Sequence, residues 1–262
     1  MGTASRSLAA LMLVALFALG GCATVPAGAS APSPADPWEN WNRKVFAFND
    51  AVDAAVLKPV AETYRDVVPR LVRTGVDNVF GNFADLWSAA NHLLQGKLQD
   101  GLEMGMRVLT NTMFGLGGLL DPATEAGLTR RSEDFGQTLG TWGLPQGPYF
   151  VLPFLGPSTV RDTAGFVVDR QASPSTIPGP DTERYAITAL QLINTRTNLL
   201  SAGRLIDSVA LDKYSFVRDG YLSRRRDALY DGAPPLDPFE DEPESAPAPG
   251  TPAPKPAAPA PR

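Results

Sequence analysis

Apolar residues recur at helical spacing over much of the chain, and the first run opens with a helix start signal. Asp36 is suited to cap a helix, Pro37 suits the first helical position, and Glu39 follows three residues after the aspartate. Because proline interrupts helical hydrogen bonding, we expect Pro59 to end this helix. The apolar face, with members three or four residues apart, consists of Trp38, Trp41, Val45, Phe48, Val52 and Val56.

Two further runs with the same period follow. The first extends from Val72 to Leu93 and is closed by Gly96, and the second extends from Leu98 to Met113. An apolar stripe of this kind is typical of an amphipathic helix. The sequence therefore predicts two such helices in succession.

The stretch between residues 143 and 158 has a different character. Its sequence, GLPQGPYFVLPFLGPS, is too rich in proline and glycine for a helix and predicts an extended segment. Short helices are expected on both sides of it, over 133–142 and, with Ser158 as the cap, over 159–170.

Residues 182–230 return to helical periodicity. They predict two helices with a break near 203–207, and the second helix ends in the basic run from Arg224 to Arg226. Together with the earlier runs, this pattern predicts an all-α fold.

A glycine-rich loop follows the second of the long apolar runs. In FGLGGLLDP (114–122), three glycines stand among apolar residues, which predicts a loop or hairpin without the usual polar surface. We call this segment the apolar turn. It consists of Phe114, Gly115, Leu116, Gly117, Gly118, Leu119 and Leu120.

The N-terminal residues have the pattern of a bacterial export signal. An apolar run from Leu8 to Leu19 follows Arg6 and is too short to span a bilayer as a permanent helix. It ends in LGGC, and Cys22 is the only cysteine in the chain. This ending resembles the lipobox of bacterial lipoproteins, which implies that residues 1–21 are removed and that Cys22 carries acyl chains. Two or more acyl chains make a stable membrane anchor.

Both ends of the remaining chain are unlike its centre. Residues 22–35 are small, proline-rich and uncharged, which predicts a flexible spacer. Position 23 is alanine rather than the aspartate typical of inner-membrane retention, so the resemblance implies the outer membrane. Residues 231–262 form a Pro/Ala-rich acidic tail that we expect to be disordered. A folded domain over 36–230 is left between them.

Charge and hydropathy narrow the functional classes. The formal net charge of −5 gives no basic footprint for nucleic acid. Beyond the signal, no segment reaches the roughly 18 consecutive apolar residues of a transmembrane helix. The apolar stripes therefore have two open interpretations: they form the core of an α-helical globule, as most such stripes do, or they lie in the plane of a membrane.

Four stretches resemble a known family when they are taken together and in order. They are DPWENWNRKVFAFND, NHLLQG, TNTMFGLGGLLDPA and RRSEDFGQTLGTWGLPQGPYFVLPFLGPSTVRD. Over about residues 36–225 the chain closely resembles the MlaA (VacJ) family of outer-membrane lipoproteins. The resemblance implies a ring of amphipathic helices in the outer membrane around a central channel, with the apolar turn as a mobile gate near the channel mouth. A rigid turn would use the same glycines and is the open alternative.

The resemblance also implies a function and partners. The lipid-anchored, periplasm-facing protein would associate with an outer-membrane porin trimer and take phospholipid misplaced in the outer leaflet. It would pass that phospholipid to a periplasmic phospholipid-binding carrier and so maintain lipid asymmetry. A polar lumen suits this task because a charged headgroup loses its hydration at a cost of several kcal/mol when it crosses hydrocarbon.

Polar residues in the resembling stretches are candidates for the channel lining or for headgroup contact, since guanidinium groups match phosphate oxygens. They are Arg130, Arg131, Asp134, Gln137, Arg161 and Asp162. For each of them, an internal ion pair or a solvated face is the open alternative. Four aromatic residues cannot all share one narrow helix stripe, so we expect at least one pair to face lipid or another helix. They are the candidates for membrane-facing positions: Trp38, Trp41, Phe46 and Phe48.

Two rival functions stand beside this interpretation. A lipid enzyme is poorly supported because the chain has no G-x-S-x-G motif and only one histidine, His92, without the acid of an acyltransferase pattern. A metal centre would have to be built from carboxylates around that histidine, so we expect no enzyme activity, metal or cofactor. A structural lipoprotein scaffold tethered to the outer membrane is the remaining alternative.

Overall fold

The computed structural model describes residues 34–176 and 179–235. The predicted signal peptide, the lipidation site at Cys22, nearly all of the spacer and most of the acidic tail lie outside the described residues. The predictions for those segments therefore stay predictions.

The described chain is mostly helical, which confirms the all-α class, and its strands form one small hairpin. The elements in the first half are α1 (Glu39–Val52), a π-helical turn (Asp53–Leu57), α2 (Lys58–Val67), α3 (Arg70–Leu94), α4 (Leu98–Phe114) and α5 (Pro122–Glu125). Those in the second half are α6 (Phe135–Thr141), β1 (Tyr149–Leu152), β2 (Gly156–Thr159), α7 (Val160–Asp169), two 3₁₀ turns (Arg170–Ala172 and Pro174–Thr176), α8 (Asp181–Asn198), α9 (Leu200–Val209) and α10 (Lys213–Leu229).

The first helix does not end at Pro59, so that prediction is wrong. Helix α1 continues through the π-helical turn into α2, where Pro59 occupies one of the first two positions. The backbone N–H of Lys58 donates to the carbonyl of Asp53, five residues earlier. This wider turn accommodates the proline ring and its missing N–H, which an α-helical turn would not.

Two predicted helix caps also belong elsewhere. Asp36 is fully buried and accepts a hydrogen bond from the Asn42 amide at 2.8 Å, while α1 begins without a side-chain cap. Ser158 lies in β2, and the cap of α7 is Thr159, whose hydroxyl accepts from the N–H of Asp162. In both cases the neighbouring tertiary structure determines the position of the helix start.

The C-terminal part contains three helices rather than the predicted two. The chain breaks at Leu199 and again over 210–212, whereas Gly203 lies inside α9. Asp212 explains the second break because its carboxylate accepts from the N–H groups of Tyr214 and Ser215 and so caps α10. The same carboxylate pairs with Arg43 on α1 at 2.7 Å, which fixes the start of α10 against the first helix.

The predicted extended segment is an antiparallel hairpin, in which Tyr149 pairs with Thr159 and Leu152 with Gly156. It is held on α1 by Asn42, whose amide donates to the carbonyl of Tyr149 at 3.2 Å and accepts from the N–H of Val151 at 3.0 Å. Val45, Tyr149, Val151 and Tyr214 form a small buried cluster beneath the hairpin. The hairpin is thereby placed between α1, α7 and α10.

Candidate functional site

The burial pattern of α4 is the reverse of that in a water-soluble globule. Its apolar stripe at predicted helical spacing is between 54% and 73% exposed and consists of Leu98, Leu102, Met106, Leu109 and Met113. The buried positions of the same helix are Gly101, Met104, Arg107 and Asn111. The interpretation of this stripe as core is therefore wrong for α4.

Helix α3 repeats this arrangement. Asp85, Ser88, Asn91 and His92 are buried, and the helix exposes a set of large apolar side chains. Burying polar groups is costly unless they are hydrogen-bonded, and these have partners: Ser88 donates to the carbonyl of Glu133 at 3.1 Å. The exposed apolar members are Leu71, Val72, Phe83, Leu86, Leu93 and Leu94.

None of the helices in the described part of the chain is both long and apolar enough to cross a bilayer.

Three of the four aromatic residues predicted to face the membrane are exposed: Trp38, Trp41 and Phe48. The fourth, Phe46, does not take the predicted membrane-facing position. It packs edge-on against Tyr214 with ring centroids 5.6 Å apart and borders the buried cluster under the hairpin. Phe46 lies two residues before Phe48, which is about 200° around the helix, so its ring points towards α10.

The apolar turn is exposed at its tip and fastened at its base. Leu116 is 74% exposed and takes a left-handed conformation with φ of 55°. At the base, the amide of Asn111 on α4 donates to the carboxylate of Asp121 at 2.9 Å. The amide of Asn78 on α3 donates to the carbonyl of Leu119 at 2.9 Å. The turn is therefore held against both long helices while its apolar side chains face outward.

A cavity of about 410 Å³ lies where α6, α7, α10 and the hairpin meet. Two kinds of residue line its wall: apolar and proline side chains, and charged or polar side chains. The first group comprises Leu152, Leu155, Pro157, Phe166 and Ala228, and the second comprises Ser132, Glu133, Asp134, Gln137, Ser158, Asp162, Asp169, Tyr221, Arg224 and Arg225.

Arg225 organises the polar wall. Its guanidinium donates to both carboxylate oxygens of Asp134 and, from Nη2 at 2.8 Å and Nε at 3.0 Å, to Asp162. The Tyr221 hydroxyl also donates to Asp162 at 2.8 Å. Burial alone would raise the pKa of the Asp162 carboxyl, but the hydrogen bonds and charge of Arg225, together with Tyr221 and Arg161, hold that pKa below its ordinary value.

The structure brings only some of the predicted headgroup residues together. Asp134, Gln137 and Asp162 line the cavity, and Asp134 also caps α6 by accepting from the N–H of Gln137. Arg161 does not line the cavity. It is buried and pairs with its neighbour Asp162 at 3.0 Å.

The two remaining arginine candidates lie outside the cavity. Arg130 pairs with the buried Asp85 at 2.9 Å, and Arg131 pairs with Asp100 and, at 3.3 Å, with Glu103. Of the two interpretations given above, the geometry favours internal ion pairs for both residues.

The lining residues that were not predicted from the sequence include three on α10: Tyr221, Arg224 and Arg225. The basic run at the end of α10 was the available signal, but nothing local in the sequence places it beside Asp134, which lies 91 residues away from Arg225. Asp169, also missed, lies at the other end of α7 from the predicted Asp162.

The buried His92 contacts a backbone carbonyl of the neighbouring segment. Nε2 of His92 faces the carbonyl of Arg131 at 3.3 Å, in the polar layer between α3 and the irregular segment 131–133. Within residues 34–176 and 179–235, no group of three or more His, Cys, Asp or Glu side chains is arranged to hold a metal ion.

Comparisons with known proteins agree with the resemblance seen in the sequence. A family model described as "MlaA lipoprotein" matches residues 34–228. The chain is 35% identical over 209 residues to the "Intermembrane phospholipid transport system lipoprotein MlaA" of Escherichia coli K12, covering 78% of this chain and 81% of the relative. It is 32% identical over 194 residues to an uncharacterised protein of Rickettsia bellii, covering 74% of this chain and 76% of the relative.

A solved structure is similar as well. It carries the description "Structural basis for maintenance of bacterial outer membrane lipid asymmetry" and superposes with a TM-score of 0.65 at 34% identity. The match covers 74% of this chain and 98% of the solved one.

Proposed function

The chain belongs to the MlaA lipoprotein family, and from this premise we propose that it is an outer-membrane lipoprotein of retrograde phospholipid transport. It removes phospholipid misplaced in the outer leaflet through an amphipathic channel and passes it to a periplasmic carrier. Lipid asymmetry of the outer membrane is maintained as a result.

The single observation that carries this proposal is the reversed burial of α4 and α3. A stripe that includes Leu102, Met106 and Leu109 would be costly to leave in water, since each such side chain gains roughly 1.5–3 kcal/mol on full burial. Arg107 lies on the opposite, buried side of α4. Hydrocarbon around the outside and polar groups within is the arrangement that a lipid channel lying in one leaflet requires.

The mixed wall of the 410 Å³ cavity supports the second part of the proposal. A phospholipid has a charged headgroup beside apolar chains, and both need a matching surface along the path. The ion-paired carboxylates Asp134 and Asp162 offer the headgroup a polar wall, while Leu155 and Phe166 offer apolar contact. We place the headgroup path here and not at Arg130 or Arg131.

The apolar turn acts as the gate of this path. Its exposed Phe114 and Leu116 lie in the leaflet, and its fastened base at Asp121 restricts movement to the tip. A tip that swings while its base stays fixed admits lipid without loosening α3 and α4.

The outward apolar surfaces also fit the partners that we propose. An outer-membrane porin trimer would contact part of this surface within the bilayer, and a periplasmic phospholipid-binding carrier would accept the lipid. The protein itself performs no hydrolysis, so lipid leaves unchanged.

Extraction behaviour tests the membrane-embedded part of this proposal. The full chain should be expressed with Cys22→Ala and a non-lipoprotein export signal, and the membranes should be washed with alkaline carbonate. A membrane-embedded channel stays in the membrane and needs detergent. A scaffold that is held only by its lipid anchor is released into the supernatant once that anchor is absent.

Lipid transfer tests the transport part. Purified lipoprotein in vesicles with labelled phospholipid in one leaflet should accelerate its movement to an acceptor, and the recovered lipid should be chemically intact. Absence of transfer would favour the scaffold alternative, and hydrolysed lipid would favour a tethered enzyme.

A further inference from the structure

Two opposite charges in the wall of the cavity lack an ion-pair partner among the residues that the structure describes. Arg224 and Asp169 both line the cavity, and within residues 34–176 and 179–235 neither forms a salt bridge. We propose that the cavity selects a zwitterionic headgroup with a primary ammonium, with the phosphodiester at Arg224 and the ammonium at Asp169. This inference rests on the proposed function and adds headgroup selectivity to it.

Arg224 differs from the arginine next to it. Arg225 directs its guanidinium to Asp134 and Asp162, whereas Arg224 is exposed and makes no side-chain hydrogen bond with any other described residue. Its five N–H donors are thus available on the cavity wall. A guanidinium with free donors suits a phosphodiester, whose two non-bridging oxygens accept in parallel.

Asp169 is positioned by neutral donors. Its Oδ1 accepts from the indole N–H of Trp87 at 2.7 Å and from the backbone N–H of Phe135 at 2.8 Å. In the described part of the chain, Oδ2 has no hydrogen-bond donor. Burial raises the pKa of Asp169, only partly offset by those two hydrogen bonds, so a cation beside Oδ2 would stabilise the ionised carboxylate.

The other charges of the wall already have partners. Asp134 and Asp162 share Arg225, and Glu133 pairs with Lys97 at 3.3 Å. One positive and one negative group are left for a ligand. Their combination matches a headgroup that carries both charges, and an anionic headgroup would leave Asp169 without a cation.

The ammonium must also carry hydrogens. A carboxylate oxygen without a donor gains a charge-assisted hydrogen bond from a primary ammonium, but a quaternary ammonium has no N–H to donate. The cavity therefore favours phosphoethanolamine over phosphocholine headgroups. Leu152, Leu155 and Phe166 on the same wall provide contact for the glycerol and the first acyl carbons.

The test uses the full-length lipoprotein purified in detergent and exchanged against vesicles with equal amounts of phosphatidylethanolamine, phosphatidylglycerol and phosphatidylcholine. Retained lipid is quantified by mass spectrometry. We expect wild type to enrich phosphatidylethanolamine roughly tenfold over the other two lipids. This factor corresponds to the gain in affinity from one charge-assisted hydrogen bond.

Two variants separate the two contacts. Asp169→Asn should lower the retention of phosphatidylethanolamine to the level of the other two lipids, whose own retention changes little because neither donates a hydrogen bond to Asp169. Arg224→Gln should reduce all three lipids by a similar factor, because all three contain the phosphodiester. The matched controls Asp227→Asn and Arg204→Gln alter exposed residues outside the cavity lining and should behave like wild type.

Soluble glycerophosphoethanolamine in the same assay distinguishes a lipid from a free headgroup. Because it lacks acyl chains, we expect it to compete at least about a hundredfold more weakly than the lipid. Competition at equal concentration would overturn the assignment to a membrane lipid.

The outcomes also distinguish this inference from the proposed function. Retention and transfer of all three lipids without preference, or an unchanged preference in Asp169→Asn, would overturn the inference alone. Failure to retain or transfer any phospholipid would overturn the proposed function and the inference together.

Discussion

Arg107 on α4 and Asp121 at the start of α5 form an ion pair that closes the base of the apolar turn. Nη2 of Arg107 lies 3.1 Å from each carboxylate oxygen of Asp121, and the arginine side chain is completely buried. The same guanidinium donates from Nε to Asp85 on α3 at 3.3 Å. One side chain thus joins both long helices to the segment that follows the turn.

Replacement of Arg107 by methionine should destabilise the protein strongly. The buried Asp85 and the partly buried Asp121 would lose a shared cation, and removing one partner of such a group costs about 3–5 kcal/mol. Chemical unfolding of the detergent-purified protein measures this change. Arg184→Met removes an exposed pair with Asp181 and should cost less than about 1 kcal/mol; equal losses would mean that the buried cluster contributes no more than a surface pair.

Gly117→Pro should impair removal of outer-leaflet phospholipid and leave association with the porin intact. Gly117 has φ of 73°, whereas proline is fixed near −65°, so the tip of the apolar turn must rebuild. Gly232→Pro is the matched control, since Gly232 has φ of 82° and likewise has no neighbour near a Cβ. Lipid asymmetry measured in cells distinguishes the two, and normal asymmetry in Gly117→Pro would remove the gate from the proposal.

Met106→Lys should weaken membrane retention of the non-lipidated protein. The side chain lies in the exposed apolar stripe of α4, and a charge at such a position costs up to about 3 kcal/mol in a bilayer. In the Cys22→Ala background, the fraction that remains after a carbonate wash should fall, while Gln99→Lys on an exposed polar position of the same helix has little effect. If both variants were retained equally, the stripe would not contact lipid.

Asp162 should contribute stability that depends on pH. Because its folded pKa lies below its ordinary value of about 3.9, this contribution is fully present above that value and is lost as the pH falls through the folded pKa. The unfolding free energy of wild type should therefore decrease below about pH 4, and Asp162→Asn should show a shallower decrease. The groups that face this carboxylate are Arg161, Arg225, Tyr221 and, across Arg225, Asp134.

The exposed Asp181 provides the control for this pH experiment. Asp181→Asn should keep the wild-type pH profile, because an exposed pair with Arg184 is screened by solvent. A wild-type profile in Asp162→Asn as well would show that the ion pairs with Arg161 and Arg225 add no pH-dependent stability.

Local periodicity was sufficient to predict the long helices. The run from Leu98 to Met113 corresponds to α4 at Leu98–Phe114, and the run from Val72 to Leu93 corresponds to α3 at Arg70–Leu94. The period could not reveal which side of each helix faces the interior, because an apolar stripe has the same spacing against a core and against lipid. Burial of Arg107 is the observation that decides between them.

The candidate site was predicted only in part, for a different reason. Asp134 and Asp162 came from a conspicuous motif, but their shared partner Arg225 comes from the end of α10, 63 residues beyond Asp162. Arg130, Arg131 and Arg161 belong to the same conspicuous stretches, yet none of the three lines the cavity. Charge type alone could not assign partners that only the tertiary packing brings together.

The π-helical turn at Asp53–Leu57 sets the angular phase between the two halves of the first long helix. Each residue of an α-helix advances the chain by about 100°, and the wider turn, with its five-residue hydrogen bond, holds one residue more than an α-helical turn. If the same residues formed a regular α-helix without a deletion, everything from Lys58 onward would rotate by about that angle. The fully buried Ala61 would leave its contact surface, and the bidentate pairing of Asp53 with Arg196 on α8 would be displaced. The loss of the wide turn at constant chain length would thus be felt across α2 and α8, which makes this turn a rotational spacer and not a local irregularity.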